Sequence, residues 1–304
     1  MKHKLYMVLF SCILIVLLAT QFDVLQTPSL INNTTFSESN LPAGSSIIGE
    51  AALLIDDKTG EVVYSKNEDK KLFPASTTKI LTALVALKYG NINDQITVGN
   101  EVQQKTPGES TAWLTAGKTF TLQELLAGLM LPSGNDAART IAVYIGKKEM
   151  NDMTIHEQEA IDYFSELMNK EAKKLGATRS HFMNPHGLHH PNHYSTAHDL
   201  GIIAREAMDN EDFKALVSQP TFSNPTLTYE NKNQLVNPES PYHLEGANGI
   251  KTGYTDEAGY CLVSSAEHNG KKLIAVVLKS TKQDVWNDSI SLLTNGFTSS
   301  YVKK

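Results

Sequence analysis

The sequence contains little cysteine and little net charge. Its 304 residues include two cysteines, Cys12 and Cys261, which lie in distant parts of the chain and are therefore not expected to form a disulfide. The formal net charge is −6, which argues against a general nucleic-acid-binding protein. With 41% hydrophobic and 20% charged residues, the composition is that of an ordinary globular protein with one large domain or two small ones.

A clean cleavage site is also missing after the N-terminal apolar run. Lys2 and Lys4 precede this run, which extends from Leu5 to Ala19 and has the layout of a secretory signal or a short membrane anchor. The positively charged end is expected to stay in the cytoplasm, which places the rest of the chain outside it. The run is short for a full membrane span, but the missing cleavage site favours an anchor that is retained.

Turn signals and hydrophobic periodicity predict strands near both ends of the folded part, with helices between them. A hairpin is predicted at 51–65, and Asn269-Gly270 is typical of a turn between two C-terminal strands. The expected fold is α+β: one antiparallel sheet built from both chain ends and a mostly helical second lobe, with a pocket between the lobes. Helices are predicted at 74–90, 121–130, 136–145, 155–175, 196–208 and 284–298, and C-terminal strands at 246–254, 260–266 and 272–278.

The helix predicted after Pro74 carries a serine and a lysine at its start. Almost every residue from Ile80 to Leu87 is apolar, which is typical of a buried helix. Ser76 and Lys79 are three residues apart and therefore share one face. A serine hydroxyl at a helix N-terminus can attack a carbonyl, and burial there favours a neutral lysine that accepts the serine proton. Alone, S-x-x-K is a weak signal, because an N-cap serine followed by a surface lysine gives the same pattern.

Two further motifs lie downstream, Ser133-Gly134-Asn135 after an apolar run and Lys251-Thr252-Gly253 before Tyr254. The patterns S-x-x-K, S-D-N and K-T-G occur together in penicillin-binding proteins and class A β-lactamases. In this chain S-G-N replaces S-D-N. All three motifs in this order are far more specific than any one of them.

These residues supply the parts that acyl transfer needs. Ser76 is the predicted nucleophile, Lys79 is its base, and Ser133 relays a proton to the leaving amine. The amide of Asn135 is suited to pairing with a substrate amide. Lys251 is predicted to be a fixed cation that binds a substrate carboxylate.

The strand that carries the third motif offers further substrate contacts. Thr252 places a hydroxyl beside the lysine, and Gly253 and Tyr254 continue a strand edge that can pair with an extended peptide. The backbone N–H groups of Ser76 and Tyr254 are candidates for an oxyanion hole.

Several stretches extend the similarity beyond the three motifs. Asn184-Pro-His-Gly-Leu188, the run 193–200 and the run 249–262 all resemble the serine-type D-alanyl-D-alanine carboxypeptidases, which are the low-molecular-mass penicillin-binding proteins. The resemblance covers roughly residues 48–300. Many members continue with a β-rich domain and an amphipathic anchor after the K-T-G strand. Here the residues after that strand suffice for the rest of the sheet and one helix, so membrane attachment is expected at the N-terminus.

The resemblance implies a β-lactamase/transpeptidase-like fold and removal of the terminal D-alanine from peptidoglycan pentapeptide stems through a serine ester. β-Lactams, which mimic the D-Ala-D-Ala end, would acylate Ser76. No cofactor, metal ion or nucleic acid is expected to take part. The protein is expected outside the cytoplasm, anchored to the membrane or secreted to the cell wall. The predicted segments are a signal or membrane anchor at 1–25, a flexible linker at 26–46 and the catalytic domain at 47–304.

Three alternatives stay open at this stage. A β-lactamase would share all three motifs, and Glu166 superficially resembles its water-activating glutamate, although it falls within a predicted helix. A metal site is conceivable because six histidines crowd into one loop, but no H-E-x-x-H pattern occurs there. A non-catalytic wall-binding protein would retain the fold, although all the motif residues are intact. The six histidines are His181, His186, His189, His190, His193 and His198.

Overall fold

The computed structural model describes residues 46–298. The predicted anchor at 1–25 and all but the last residue of the predicted linker at 26–46 lie outside the described residues. Within 46–298, no helix has both the length and the apolar character needed to span a membrane.

The strands are β1 (Ala51–Asp56), β2 (Val62–Lys66), β3 (Gln95–Thr97), β4 (Thr119–Thr121), β5 (Thr221–Ser223), β6 (Thr228–Glu230), β7 (Ala247–Thr255), β8 (Gly259–His268) and β9 (Lys271–Ser280). The helices are α1 (Lys79–Tyr89), α2 (Leu122–Met130), α3 (Asn135–Glu149), α4 (Glu157–Leu175), α5 (Ala197–Met208), α6 (Glu211–Val217) and α7 (Asp284–Thr298). Short 3₁₀ turns occupy Ala75–Thr78, Asn100–Gln103 and Gln234–Val236.

One antiparallel sheet joins the two ends of the described chain. Its strand order is β2-β1-β9-β8-β7, and the central pairing of β1 with β9 brings the N-terminal hairpin against the C-terminal strands. The predicted sheet is therefore confirmed. Asn269 and Gly270 both have positive φ, 50° and 76°, as a two-residue turn between β8 and β9 requires. Strand β7 lies at the edge of the sheet.

Both faces of the sheet are covered, and its central strand β9 is accordingly apolar on both sides. Leu273, Ala275 and Val277 of β9 belong to the core under α7, while the residues between them belong to the core shared with the helical lobe. Alternate residues of a strand point to opposite faces, so a continuous apolar run places one set in each core.

Helix α1 lies in the centre of the helical lobe. It packs against α2, α3, α4 and α5, and its residues Lys79–Ala86 are all buried, as the apolar sequence predicts. The prediction that this helix starts at Pro74 is wrong. Ala75 has a φ of 48°, in the left-handed region, and residues 75–78 form a 3₁₀ turn before the α-helix begins at Lys79.

Local signals account for most other helices. The predicted capping box at the start of α2 is present: Thr121 Oγ1 accepts from the Glu124 backbone N–H at 3.1 Å, and the Thr121 N–H donates to Glu124 Oε2 at 2.7 Å. The sequence analysis missed α6. This helix has only seven residues and buries Phe213, Leu216 and Val217, so its apolar pattern is too short to stand out.

The histidine-rich loop packs against the 3₁₀ turn and the start of α1. Thr82 Oγ1 donates to the Pro185 carbonyl oxygen at 2.6 Å, and His193 Nε2 lies 2.9 Å from Thr78 Oγ1. At Gly187 the two backbones meet, because a Cβ there would lie 1.8 Å from the Ala75 carbonyl oxygen. The loop therefore fixes the segment that carries Ser76.

We predict that Gly187→Ala destabilises the protein much more than Gly176→Ala does. Both glycines have positive φ, 86° and 92°, but no atom lies within 4 Å of a Cβ at Gly176. Gly176→Ala should therefore cost only the conformational strain of about 1–2 kcal/mol, whereas Gly187→Ala adds a backbone clash. Urea unfolding measures both changes. Equal losses of stability would contradict the close contact between the loop and the 3₁₀ turn.

Candidate active site

The 3₁₀ turn places Ser76 beside the first residue of α1. Its Oγ lies 2.9 Å from Lys79 Nζ, so the structure brings the two side chains together as their spacing predicts. Ser76 lines a cleft, whereas Lys79 is completely buried behind it. The hydroxyl is thus open to a ligand on one side and in contact with an amine on the other.

Lys79 has two further close contacts. Its Nζ donates to Asn135 Oδ1 at 2.7 Å and to the His186 carbonyl oxygen at 2.7 Å. Burial, followed by the charges of Lys251 and Lys232, lowers the pKa of Lys79 well below 10.5. The contacts are with neutral oxygens, so the site can hold an uncharged amine.

Ser133 and Asn135 lie where α2 gives way to α3. Ser133 is buried with a φ of 69°, a left-handed conformation that is uncommon for serine, and it lines the cleft. Asn135 is the first residue of α3 and contacts Lys79. Between them, a Cβ at Gly134 would lie 2.7 Å from Ala112 Cβ and 2.8 Å from its backbone nitrogen. The lack of space explains why this chain has S-G-N.

The third motif lies on the edge strand β7, directly against the 3₁₀ turn. A Cβ at Gly253 would lie 3.1 Å from the Ser76 backbone nitrogen and 3.0 Å from the Pro74 carbonyl oxygen, so glycine permits this approach. Thr252, Gly253 and Tyr254 line the cleft, and the Tyr254 side chain is 51% exposed.

Lys251 differs from the sequence prediction of a fixed cation. The side chain is buried, and its Nζ donates to the Thr252 carbonyl oxygen at 3.1 Å. Burial, followed by the charge of Lys232, lowers the pKa of Lys251 to about 7. Its charge therefore varies near neutral pH, because desolvation disfavours the protonated amine.

All the predicted site residues meet at one cleft of about 1080 Å³. Six of the eight line it, and the two buried lysines lie directly behind it, in contact with lining residues. The lining residues among them are Ser76, Ser133, Asn135, Thr252, Gly253 and Tyr254. Helical lobe and sheet both contribute to the walls, in agreement with the predicted pocket between the two lobes.

Sequence reasoning missed two charged residues at this site. Glu109 lines the cleft, and it forms a buried ion pair with Arg139 of α3. Arg139 follows Asn135 by four residues on the same helix, so the two share a face. An arginine on the face that carries Asn135 was the available signal, but nothing local pointed to its partner in a distant loop.

The histidines of the loop are mostly engaged by the loop itself. His193 Nδ1 accepts from the Met183 N–H at 3.1 Å, and the rings of His186 and His190 accept backbone N–H groups within the loop. Burial, followed by nearby histidine charges, lowers the pKa of His193 to about 3. Among residues 46–298, no three histidine, cysteine, aspartate or glutamate side chains are grouped as a metal site would need.

Glu166 lies on the exposed side of helix α4 and is absent from the lining of the cleft. Its position within a regular helix agrees with the sequence prediction. A glutamate at this place cannot activate a water molecule beside Ser76.

Known proteins resemble this chain over most of its length. A family model described as D-alanyl-D-alanine carboxypeptidase, peptidase family S11, matches residues 35–282. The D-alanyl-D-alanine carboxypeptidase DacF of Bacillus subtilis is 34% identical over 264 residues, which are 83% of this chain and 62% of DacF. DacB2 of Mycobacterium tuberculosis, of the same description, is 33% identical over 84% of this chain and 86% of its own length.

Solved structures agree. The crystal structure of the Streptomyces K15 DD-transpeptidase matches with a TM-score of 0.76 at 31% identity, over 83% of this chain and 98% of that one. The chain spans less than two thirds of the length of some relatives, 62% of DacF and 65% of DacC from Escherichia coli. With its three motifs at one cleft and relatives of this kind matching most of its length, the chain belongs to the D-alanyl-D-alanine carboxypeptidase family.

Proposed function

We propose that this protein is a serine-type D-Ala-D-Ala carboxypeptidase. It removes the terminal D-alanine from peptidoglycan pentapeptide stems through an acyl-serine intermediate, and β-lactams acylate the same serine. The observation that carries this proposal is the 2.9 Å contact between Ser76 Oγ and the buried Lys79 Nζ at the wall of a cleft.

Acylation starts with proton transfer from Ser76 to Lys79. As the Ser76 Oγ–H bond breaks, Oγ attacks the carbonyl carbon of the penultimate D-alanine, and its proton goes to the neutral amine of Lys79. The backbone N–H groups of Ser76 and Tyr254 stabilise the resulting oxyanion. The close approach of Gly253 to the Ser76 nitrogen supports this pairing of donors.

Collapse of the tetrahedral intermediate breaks the peptide bond. The leaving amine needs a proton, which Ser133 relays from Lys79 at the cleft wall. D-Alanine leaves, and Ser76 remains as an ester with the shortened stem. Water then attacks the ester carbonyl and gives up its proton to Lys79. As the ester bond breaks, Ser76 Oγ takes this proton from Lys79, so the serine hydroxyl and the neutral amine are restored and the shortened stem leaves with a free carboxyl group.

The edge strand β7 and its neighbours hold the substrate. Its exposed edge pairs with the extended stem peptide, and Asn135 and Thr252 add side-chain contacts. The substrate carboxylate binds near Lys251. A carboxylate at this place favours the protonated amine, so substrate binding itself promotes the charge that Lys251 lacks above a pH of about 7.

The location of the protein follows from the N-terminal sequence and from the substrate. Peptidoglycan lies outside the cytoplasm. The basic residues and the apolar run within 1–25 support attachment to the outer face of the membrane, with 26–46 as a linker to the catalytic domain at 47–304. Sequencing of the N-terminus of the mature protein tests whether the anchor is retained.

We predict that Ser76→Ala abolishes release of D-alanine, because Ser76 carries the cleft hydroxyl that contacts the proposed base Lys79. The variant should still bind a peptide that ends in D-Ala-D-Ala, measured by calorimetry, since the rest of the cleft is intact. Ser218→Ala, the same change on the far end of helix α6, serves as the control and should release D-alanine at the wild-type rate. Release of D-alanine by Ser76→Ala would show that the nucleophile is wrongly assigned. If the wild type also fails to release D-alanine, the protein only binds the wall.

A fluorescent penicillin separates the proposal from a β-lactamase. The label should map to the peptide that contains Ser76. The adduct should last for minutes or longer, because Glu166 lies outside the cleft and Glu109 is held by Arg139 and Asn135. Mass spectrometry of the intact protein over time measures the lifetime. Turnover of the adduct within a second would identify a β-lactamase.

The pH dependence of acylation by penicillin should have two limbs. At low pH Lys79 is protonated and cannot accept the serine proton, so the rate rises with pH through its lowered pKa. Because the pKa of Lys251 is about 7, its charge is lost as the pH rises through this value. Binding of the penicillin carboxylate then weakens, which gives an upper limb that falls with pH. Lys251→Met should therefore lack the upper limb, whereas the surface change Lys170→Met should keep both. An unaltered upper limb in Lys251→Met would assign this limb to another group.

A further inference from the structure

A buried ion pair lies next to Asn135, the residue that contacts the proposed base. Arg139 Nη1 and Nη2 donate to the two oxygens of Glu109 at 2.8 Å and 2.7 Å. The side chains are only 5% and 3% exposed. Replacement of such a pair by apolar residues is often neutral or stabilising, so stability alone does not explain two charges at this place.

Glu109 also contacts the amide that reaches Lys79. Asn135 Nδ2 donates to Glu109 Oε2 at 3.2 Å, and the other end of the same amide, Oδ1, accepts from Lys79 Nζ at 2.7 Å. An ionised carboxylate only accepts hydrogen bonds. The amide of Asn135 therefore has to turn its NH₂ group towards Glu109 and its oxygen towards Lys79.

This orientation decides where the lone pair of Lys79 points. A neutral amine has two N–H bonds and one lone pair. With its two N–H groups donated to the Asn135 amide oxygen and to the His186 carbonyl oxygen, the lone pair remains for the Ser76 hydroxyl. A reversed amide would present an N–H to Lys79 and would compete with Ser76 for the same lone pair.

Arg139 has a second effect, on charge. A carboxylate near Lys79 favours the protonated amine, and Glu109 indeed acts to raise the pKa of Lys79, whereas Arg139 acts to lower it. The ion pair thus supplies a carboxylate that accepts from the Asn135 amide, while its net charge stays small. The loop that carries Glu109 is tied to α3, because the Asn135 N–H donates to the Ser110 carbonyl oxygen at 2.9 Å.

We propose that Glu109 and Arg139 are positioning residues that fix the amide of Asn135, so that Lys79 keeps its lone pair for Ser76. This inference rests on the proposed role of Lys79 as the base. Neither residue touches the reacting atoms.

The test is the rate at which penicillin acylates Glu109→Met/Arg139→Met. Both charges disappear together and the volumes are similar, so the protein should fold with a melting temperature near that of the wild type. The acylation rate constant should fall about tenfold or more, because small misplacements of reacting groups have effects of this size. The acylation rate should be lowered at every pH, because the variant lacks the fixed orientation of the Asn135 amide and this defect does not depend on protonation.

Two further variants separate orientation from charge and from folding. Glu109→Asp keeps the ion pair with Arg139 but withdraws the acceptor from Asn135, and it should also be acylated more slowly. Glu109→Gln/Arg139→Gln removes the charges but retains an amide oxygen that can accept from Asn135, so it should recover part of the rate. Lys88→Met/Glu171→Met, which removes an ion pair at the far end of α1, is the control and should react at the wild-type rate.

A wild-type rate in either the folded Met pair or the Glu109→Asp variant would overturn the inference. The proposed function is judged separately, by acylation of the wild-type protein at Ser76. If penicillin acylates the wild type and the variants equally fast, the positioning role is rejected and the proposed function stands. A wild type that does not react with penicillin would reject the function.

Discussion

The structure depends on the buried amine of Lys79, whose hydrogen-bond partners within residues 46–298 are neutral oxygens. Burial disfavours an isolated ammonium group and lowers the pKa of Lys79, so the neutral amine is favoured at this place. The three hydrogen-bond partners of this amine come from separate parts of the chain: the 3₁₀ turn, the first residue of α3 and the carbonyl oxygen of His186. The histidine-rich loop, which the sequence offered as a possible metal site, therefore has a structural role. It carries that carbonyl group and packs against the turn that bears Ser76.

The sheet supplies the other half of the cleft through backbone contact. Strand β7 approaches the 3₁₀ turn so closely that a Cβ at position 253 would lie 3.0 Å from the Pro74 carbonyl oxygen. Position 134 is restricted more strongly, because a Cβ there would lie 2.7 Å from Ala112 Cβ. Glycine at these two positions lets three segments that are distant in sequence meet within one cleft. Lys251 and Lys79 are both buried at this cleft, and the charge of Lys251 acts to lower the pKa of Lys79.

Most of the fold could be predicted because its signals are local. The capping box before α2, the Asn269-Gly270 turn and the apolar stripe of α4 each depend on neighbours in sequence. The motif residues could be predicted for a different reason, since their spacing is typical of one family. What could not be predicted depends on tertiary contacts. The burial that lowers the pKa of Lys251, the 3₁₀ turn forced by its neighbours and the partner of Arg139 become visible only when distant segments meet.

The protonation state of Glu109 bears both on the orientation of Asn135 and on the hydrolysis of the acyl-enzyme. Among the lining residues of the cleft it is the carboxylate that contacts Asn135, and it would be the obvious base for activating water. Burial raises its pKa, but the hydrogen bonds and charge of Arg139 outweigh burial, and the pKa of Glu109 is lowered overall. Both oxygens already accept hydrogen bonds from Arg139, and one also accepts from Asn135. A carboxylate held in this way is a weak base, because proton uptake would break the contacts that stabilise its charge. The same ion pair that directs Lys79 towards Ser76 therefore keeps a glutamate in the cleft from acting as the deacylating base of a β-lactamase.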